Sequence, residues 1–389
     1  YSFKDCLSHP LNFHGWYLDL TVIKDDSVED EAKKDEDELV EDSFEEQLAK
    51  FINQVVKSNL DMIPVICHKL EEIFSTKYPS CRVYPYGSSV TGLSLKDSSV
   101  DLYMNLNLVP LNHEILVAKI KKLLYPCREF KQVRVIPKAI TPVLTFIYWP
   151  TKTKCNVCFK NALRVQNSLL IKHLISLDER VGPFLLLIKC WAKKNDVTGA
   201  KKLSQYAFVI MGIFYLQQLS PPVLPPVCSI RTDQLVINGW ACSFNDKDWK
   251  PDNRNEMKIP ELVTGFFRFY SEYNYKDYVI CPLMGQSILK LLFQYPHSLP
   301  DAMNSYRSMA SDSTGFYILH KLMSVQDPFE LNINLTSWMS ESSVQIFTSF
   351  CEVAADVCND VLLTPDGHFH FLSKLLGRMT IPEFKIARG

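Results

Sequence analysis

No apolar run in these 389 residues approaches the roughly 18–20 that a membrane-spanning helix needs, so a membrane-spanning class is set aside. The first residues, YSFKDCLSHP, lack both the apolar core of a signal peptide and the Arg-rich character of a transit sequence, and no targeting segment is expected there. An excess of charge of one sign is also missing. The 42 Lys and Arg stand against 43 Asp and Glu, for a net charge of −1 and a pI near 6.8. That balance excludes a surface coated in basic residues for indiscriminate nucleic-acid binding, while leaving room for local basic patches. The 12 cysteines are scattered, several of them inside apolar segments (Cys67, Cys190, Cys281, Cys351, Cys358). This is the usage of a reduced intracellular protein with free thiols, so a cytoplasmic or nuclear location is expected. Cys155 and Cys158 have CxxC spacing, but no second pair and no neighbouring His completes a zinc site. No internal repeat is visible.

What is present is a chain of 47% hydrophobic content, long enough for two domains with cores of their own. Residues 1–24 carry Phe3, Leu11, Phe13, Trp16, Tyr17, Leu18, Leu20 and Val22 and are expected to pack on the first domain or to dock a partner. Residues 25–42, DDSVEDEAKKDEDELVED, form an acidic run without apolar period and read as a solvated linker. Ser43 with Glu46 makes a capping box for a helix carrying Phe44, Leu48, Phe51, Ile52, Val55 and Val56. A second helix, with Ile63, Val65, Ile66, Leu70, Ile73 and Phe74 inward, ends at Pro79. After a turn at Pro110-Leu111-Asn112 come a helix over His113–Leu124 and strands in Gln132–Pro137 and Val143–Trp149. From Asn167 onward the pattern is helical, with faces at Leu169–Ile175, Phe184–Trp191 and Leu203–Leu219, and with the Pro-rich connection PPVLPPV at 221–227.

The stretch that organises the chain is YPYGSSVTGLSLKDSSVDLYMNL, Tyr84–Leu106. A strand (Cys81, Val83, Tyr84) breaks at Gly87-Ser88-Ser89, and an apolar alternation resumes through Val100, Leu102, Met104 and Leu106. Such a small, hydroxyl-rich turn lets backbone N–H groups approach a phosphate, and the following strand can offer acids to a metal. The stretch resembles the signature of the DNA polymerase β-like nucleotidyltransferases, and within them the cytoplasmic poly(A) polymerases and terminal uridylyltransferases. Gly87-Ser88 stands for the turn, Thr91-Gly92-Leu93 for the step, and Ser98-Ser99-Val100-Asp101 for the acidic strand. Lys189-Cys190-Trp191-Ala192-Lys193, Asn161, Leu203-Ser204-Gln205-Tyr206-Ala207, Glu261–Tyr270 and Gln326–Asn334 extend the resemblance from about residue 44 to 350. It implies an α/β nucleotidyltransferase domain with a mixed sheet and a mainly α-helical poly(A)-polymerase-associated domain, bilobal with a central cleft. The expected limits are 43–60 for a helix packing on the helical domain, 61–163 for the first domain and 164–389 for the second.

By the same resemblance, Gly87, Ser88, Asn161, Lys189, Lys193, Ser204 and Tyr206 would touch a nucleotide, with Tyr206 stacking on its base. Gln205 replaces a phosphate-contacting Ser, and Ile333 stands where uridylyltransferases carry a His. Trp191, Tyr206 and Phe266–Phe269 can equally be core aromatics of any helical domain. Lys189 and Lys193 lie one helical turn apart, which suits two cations aimed at one anion. His368 and His370, in DGHFH, lack companions for a metal site and read as a surface turn.

The implied chemistry needs two divalent cations held by three carboxylates. The corresponding positions here are Ser99, Asp101 and Asn156. At about 4 Å and an effective dielectric near 20, each carboxylate contributes about 8 kcal/mol of attraction to a divalent ion before desolvation. Two neutral replacements remove most of that charge, and Asp97 would have to swing round a strand entry to compensate. The expectation is therefore a pseudoenzyme: a catalytically inactive member that offers its fold to protein partners, and to RNA, in RNA metabolism, without a metal or other cofactor. The alternatives are a working terminal nucleotidyltransferase adding A or U to RNA 3′ ends through Mg²⁺ or Mn²⁺ on Asp101, and a nucleotide sensor using Lys189, Lys193 and Tyr206.

Overall fold

The computed structural model describes residues 43–57, 60–106, 113–136, 143–199, 202–245, 249, 253–312, 321–364 and 366–380. The expected N-terminal extension, the acidic linker and the turn at Pro110-Leu111-Asn112 lie outside these residues.

Helix α1 (Phe44–Val55) starts where the sequence places it. Ser43 Oγ accepts the Glu46 N–H at 3.3 Å, and Glu46 Oε2 accepts the Ser43 N–H at 2.8 Å. Helix α2 (Met62–Ser75) follows, with Ile66, Leu70 and Phe74 buried against a five-stranded sheet, while Val65, expected inward, is exposed because it falls off the face that the i, i+4 and i+8 positions share. That sheet is built from β1 (Arg82–Tyr86), β2 (Val100–Asn105), β3 (Phe130–Ile136), β4 (Val143–Tyr148) and β5 (Thr153–Cys158) in the order β1-β2-β5-β4-β3. Only the β2–β5 pair is parallel, which makes the sheet mixed. Between β1 and β2 lies a one-turn helix, α3 (Ser88–Thr91), and α4 (His113–Leu124) connects β2 to β3.

The second unit is mainly helical: α5 (Leu163–Ser176), α6 (Val181–Lys194), α7 (Gln205–Gln218), α8 (Ile259–Glu272), α9 (Asn304–Asp312), α10 (Glu341–Leu362) and α11 (Gly367–Leu375). Helix α7 is apolar all round and buried from Ala207 to Gln217, as expected of a helix at the centre of a bundle. Gly212 lets α6 approach it, since a Cβ there would stand 2.5 Å from Leu185 Cδ2 and 2.9 Å from Ile188 Cδ1. Trp191, Phe266 and Phe267 are fully buried in this core, Trp191 lying between Phe208 and Phe267. These rings serve packing. Phe44 of α1 meets Phe371 of α11 edge-on at 6.0 Å, so the first helix belongs to the same core.

Two features depart from the expected pattern. The helical region contains two hairpins, β6 (Arg231–Ile237) with β7 (Trp240–Phe244), and β8 (Tyr278–Cys281) with β9 (Gln286–Leu289). The DGHFH segment, read as a surface turn, opens α11, because Phe371, Leu372 and Leu375 give it a face to bury. Cys155 packs in the sheet–α2 core and Cys158 in a separate cluster with Tyr103 and Val165, since a spacing of three puts them on opposite faces of β5. No disulfide joins any of the eleven described cysteines to another.

Candidate active-site cleft

The turn after β1 is shaped for close approach. Gly87 adopts φ +75°, and a Cβ on it would lie 3.2 Å from Asp101 Oδ2, so both its conformation and its neighbour exclude a side chain. The Gly87 N–H donates to Ser168 Oγ on α5 at 2.7 Å, and that hydroxyl donates to the Arg164 carbonyl at 2.7 Å. Ser88 opens α3, while Ser89 Oγ donates back to the Tyr86 carbonyl at 3.2 Å.

Asp101 sits in mid-sheet, paired with Tyr86 on β1 and with Asn156 on β5. That register brings the Asn156 amide against it, and Asn156 Nδ2 donates to Asp101 Oδ1 at 2.9 Å. A carboxylate only accepts, so the amide must turn its NH₂ inward. Burial pushes the Asp101 carboxyl above its ordinary value, against the pull of the Asn156 hydrogen bond and the charges of Arg164 and Lys189. Ser99 is half-buried just ahead of β2. Asp97 is exposed and paired with Lys193 Nζ at 3.3 Å.

A divalent metal does not fit this donor set. Mg²⁺ asks for several anionic oxygens, and the three triad positions provide one carboxylate whose Oδ1 already holds an amide N–H. Among the described residues no three His, Cys, Asp or Glu gather as a metal-binding group. No step can be derived through a metal here.

The helical side of the cleft carries the remaining candidate positions, each bonded within the protein. Lys189 is buried, its Nζ donating to the Leu93 carbonyl at 2.6 Å, and burial pulls its pKa down to about 8. Lys193, one turn on, faces solvent and Asp97, so the two lysines engage different partners. Ser204 Oγ caps α7 by accepting the Ala207 N–H at 3.0 Å. Gln205 Nε2 turns away to Thr198 Oγ1. Tyr206 donates its hydroxyl to Asp327 Oδ2 at 2.9 Å. Buried Asp327 also accepts Asn167 Nδ2 at 3.1 Å and the N–H groups of Phe329 and Glu330. Four hydrogen bonds thus hold it without a cation, although burial still raises its carboxyl. Asn161, in the left-handed region at φ +69°, donates Nδ2 to Glu330 Oε2 at 3.2 Å. Asn161 Oδ1 and Asn167 Oδ1 are buried without a donor.

The sequence reading quoted Asp327 and Glu330 only as part of a segment and missed Arg164, Asn167 and Ser168. The spacing of polar positions along α5, Arg164, Asn167 and Ser168 at the i, i+3 and i+4 places, was the available signal.

Residues 44–176 match the family described as poly(A) RNA polymerase, mitochondrial-like, central palm domain. Residues 258–333 match the Cid1 family poly A polymerase. Over 402 residues the chain is 25% identical to the speckle targeted PIP5K1A-regulated poly(A) polymerase of Xenopus tropicalis, covering 85% of this chain and 45% of that protein. It is 24% identical over 352 residues to the mitochondrial poly(A) RNA polymerase of Mus musculus (81% and 55%). With terminal uridylyltransferase 4 of Homo sapiens it shares 27% over 289 residues (70% and 16%). The chain therefore spans about half the length, or less, of the curated relatives it matches. In fold it is similar to the crystal structure of mtPAP in complex with GTP (TM-score 0.72, 19% identity, 87% of this chain and 73% of that one). It is also similar to the Cid1 poly(U) polymerase bound to Mg and 3′-dATP (TM-score 0.68, 21% identity, 85% and 98%).

Proposed function

Since this chain belongs to the family of poly(A) polymerases and terminal uridylyltransferases, we propose that it is a member that keeps the fold and the cleft but no longer transfers nucleotides. Its role is that of a scaffold or adaptor in RNA metabolism, binding protein partners and RNA. The observation that carries this reading is the Asn156–Asp101 hydrogen bond at 2.9 Å. A neutral donor occupies the side of the last triad carboxylate on which a metal-bound family member needs a second anion. Ser99, two residues before Asp101, adds no charge, and Asp97 is engaged with Lys193.

The test is an extension assay with a labelled oligoribonucleotide, each NTP in turn, and Mg²⁺ or Mn²⁺. The wild type is expected to leave the RNA unextended under every condition. Extension that vanishes in Asp101→Ala would overturn the reading in favour of a working terminal nucleotidyltransferase. The Ser99→Asp/Asn156→Asp variant rebuilds the charge and is expected to bind Mn²⁺, seen by its paramagnetic resonance signal, where the wild type does not.

A further inference from the structure

The helical unit holds a cavity of about 360 Å³ that none of the candidate site residues lines. Its walls are the end of α6, the first turns of α10 and the residues that follow α11. The Met379 N–H donates to Asn195 Oδ1 at 2.8 Å, and Trp191 Nε1 donates to Met379 Sδ at 3.2 Å, so the segment after α11 is pinned against α6. Buried Phe347 and half-buried Phe350 give the cavity an apolar lining, and Ile346 beside them is 45% exposed. Trp338, also largely exposed, donates its indole N–H to the carbonyl of the lining residue Lys202 at 3.0 Å.

Four charged side chains line the cavity, Lys194, Lys202 and Arg378 against Asp196. Lys202 and Asp196 neutralise each other as an ion pair. Glu341, in the first turn of α10, is not part of the lining. Lys194 and Arg378 are exposed and, among the described residues, have no carboxylate at ion-pair distance. Apolar surface and two unneutralised cations thus share one hollow. A phosphate backbone leaves the apolar part unused, and an apolar ligand leaves the cations unused. An acidic segment that carries apolar residues matches both.

Such a segment lies in this chain. Residues 25–42 carry eleven acids against two lysines, with Leu39-Val40 set between Glu38 and Glu41. The run ends at Ser43, the cap of α1, and Phe44 stands 6.0 Å from Phe371 of α11, the helix that leads into Arg378 and Met379. From Phe371 to Arg378 the chain spans at most roughly 17 Å, and a coil of the length of the run covers roughly 23 Å. Tethering at that range gives an effective concentration on the order of millimolar, enough to hold a contact that a free peptide would not keep. We propose that the acidic run 25–42 docks in this cavity, with Leu39 and Val40 against Ile346, Phe347 and Phe350 and its carboxylates on Lys194 and Arg378. Docked, the run neutralises both cations and covers Ile346, a role that the reading of it as a solvated linker does not contain. Docking of this kind requires neither an active nor an inactive cleft.

Zero-length carbodiimide cross-linking of the full chain, read by peptide mass spectrometry, tests this, because it joins a lysine only to a carboxylate in contact with it. Lys194 is expected to link to the run with about fivefold or more the yield of Lys121 and Lys122, exposed lysines at the end of α4. Arg378→Glu, and separately Leu39→Ser/Val40→Ser, should each lower the Lys194 yield by about threefold or more. Salt at about 0.5 M, where the Debye length falls to about 4 Å, should lower it as well. Because Arg378 is exposed, the thermal midpoint of its glutamate variant should match wild type, which separates lost docking from lost folding. Mixing isotope-labelled with unlabelled chain distinguishes the run of one molecule from that of its neighbour. Links that pair the two isotopes would place the run on a second copy and overturn docking within one chain. Links spread evenly over the exposed lysines, or a Lys194 yield unchanged in Arg378→Glu, would overturn the proposal altogether.

Discussion

Lys189 holds an ammonium group at 5% exposure, with one hydrogen bond, to the Leu93 carbonyl, and with burial pulling its pKa from 10.5 to about 8. A drop of that size corresponds to about 3 kcal/mol of stability given up at neutral pH. Below pH 8 both the folded and the unfolded lysine are protonated, and the folded state bears the whole cost. Between pH 8 and 10.5 the folded lysine is neutral while the unfolded one still binds a proton, so stability rises with pH and the cost fades. Lys189→Met keeps the apolar stem and removes the charge. It is expected to match or exceed wild type in denaturant unfolding at pH 7, with the difference moving in favour of wild type as the pH approaches 10. A variant less stable than wild type at pH 7, with no pH trend, would show that the Leu93 bond outweighs the buried charge. The sequence announced Lys189 and Lys193 as a pair one turn apart. It could not announce that one is buried under the palm and the other paired with Asp97, because both destinations are set by the docking of a segment almost 100 residues earlier.

At the scale of elements, the central pair α6 and α7 depends on one missing methyl. Alanine at Gly212 would gain about 1 kcal/mol in helix propensity. Its Cβ would also press on Leu185 and Ile188, branched side chains that are themselves fully buried, and overpacking of this kind costs about 1–3 kcal/mol. Gly212→Ala is therefore expected to lower the denaturant midpoint with an unchanged m-value, and an equal or higher midpoint would mean that the helices part freely. The helices themselves were legible because each carries an apolar period and a readable end: the Ser43–Glu46 box for α1, Ser204 for α7, Ser220-Pro221-Pro222 after it. The hairpins were not. β6 and β7 are joined by Asn238-Gly239, both at positive φ (53° and 83°), the residue pair most diagnostic of a two-residue hairpin turn. Its flanks, RTDQLVI and WACSF, alternate too weakly between apolar and polar to stand out from a helical background. The acidic strand is the opposite case: β2 was read from its alternation, and the loss at Ser99 and Asn156 from two letters. That Asn156 lies directly beside Asp101 follows from the parallel β2–β5 register, a pairing no local pattern contains.

At the scale of the whole molecule, the two cores were visible in the sequence as a mixed strand–helix region followed by a helical one, yet the joint between them was not. Leu93 and Leu95 lie between β1 and β2 in the chain, but their side chains are buried in the helical core. Around them the Leu93 carbonyl receives Lys189, Gly87 N–H reaches Ser168, Tyr86 meets Arg164, and Lys57 Nζ donates to the Ser98 carbonyl at 2.9 Å. The segment Gly87–Ser98 is thus both the lip of the cleft and the plug that couples the palm to the helices. Two cores locked in this way unfold together, since opening the palm alone exposes Leu93 and Leu95 and strands the Lys189 charge. Wild type is expected to show one unfolding midpoint for Trp149, in the palm, and for hydrogen exchange along α7, in the helical core. Leu93→Ala removes a buried leucine side chain and should cost about 2–5 kcal/mol, lowering both probes by the same amount if the cores remain coupled. Separate midpoints in wild type would refute the coupling. Separation only in the variant would locate it at Leu93, and would mean that the shape of the cleft is maintained by the segment that forms its lip.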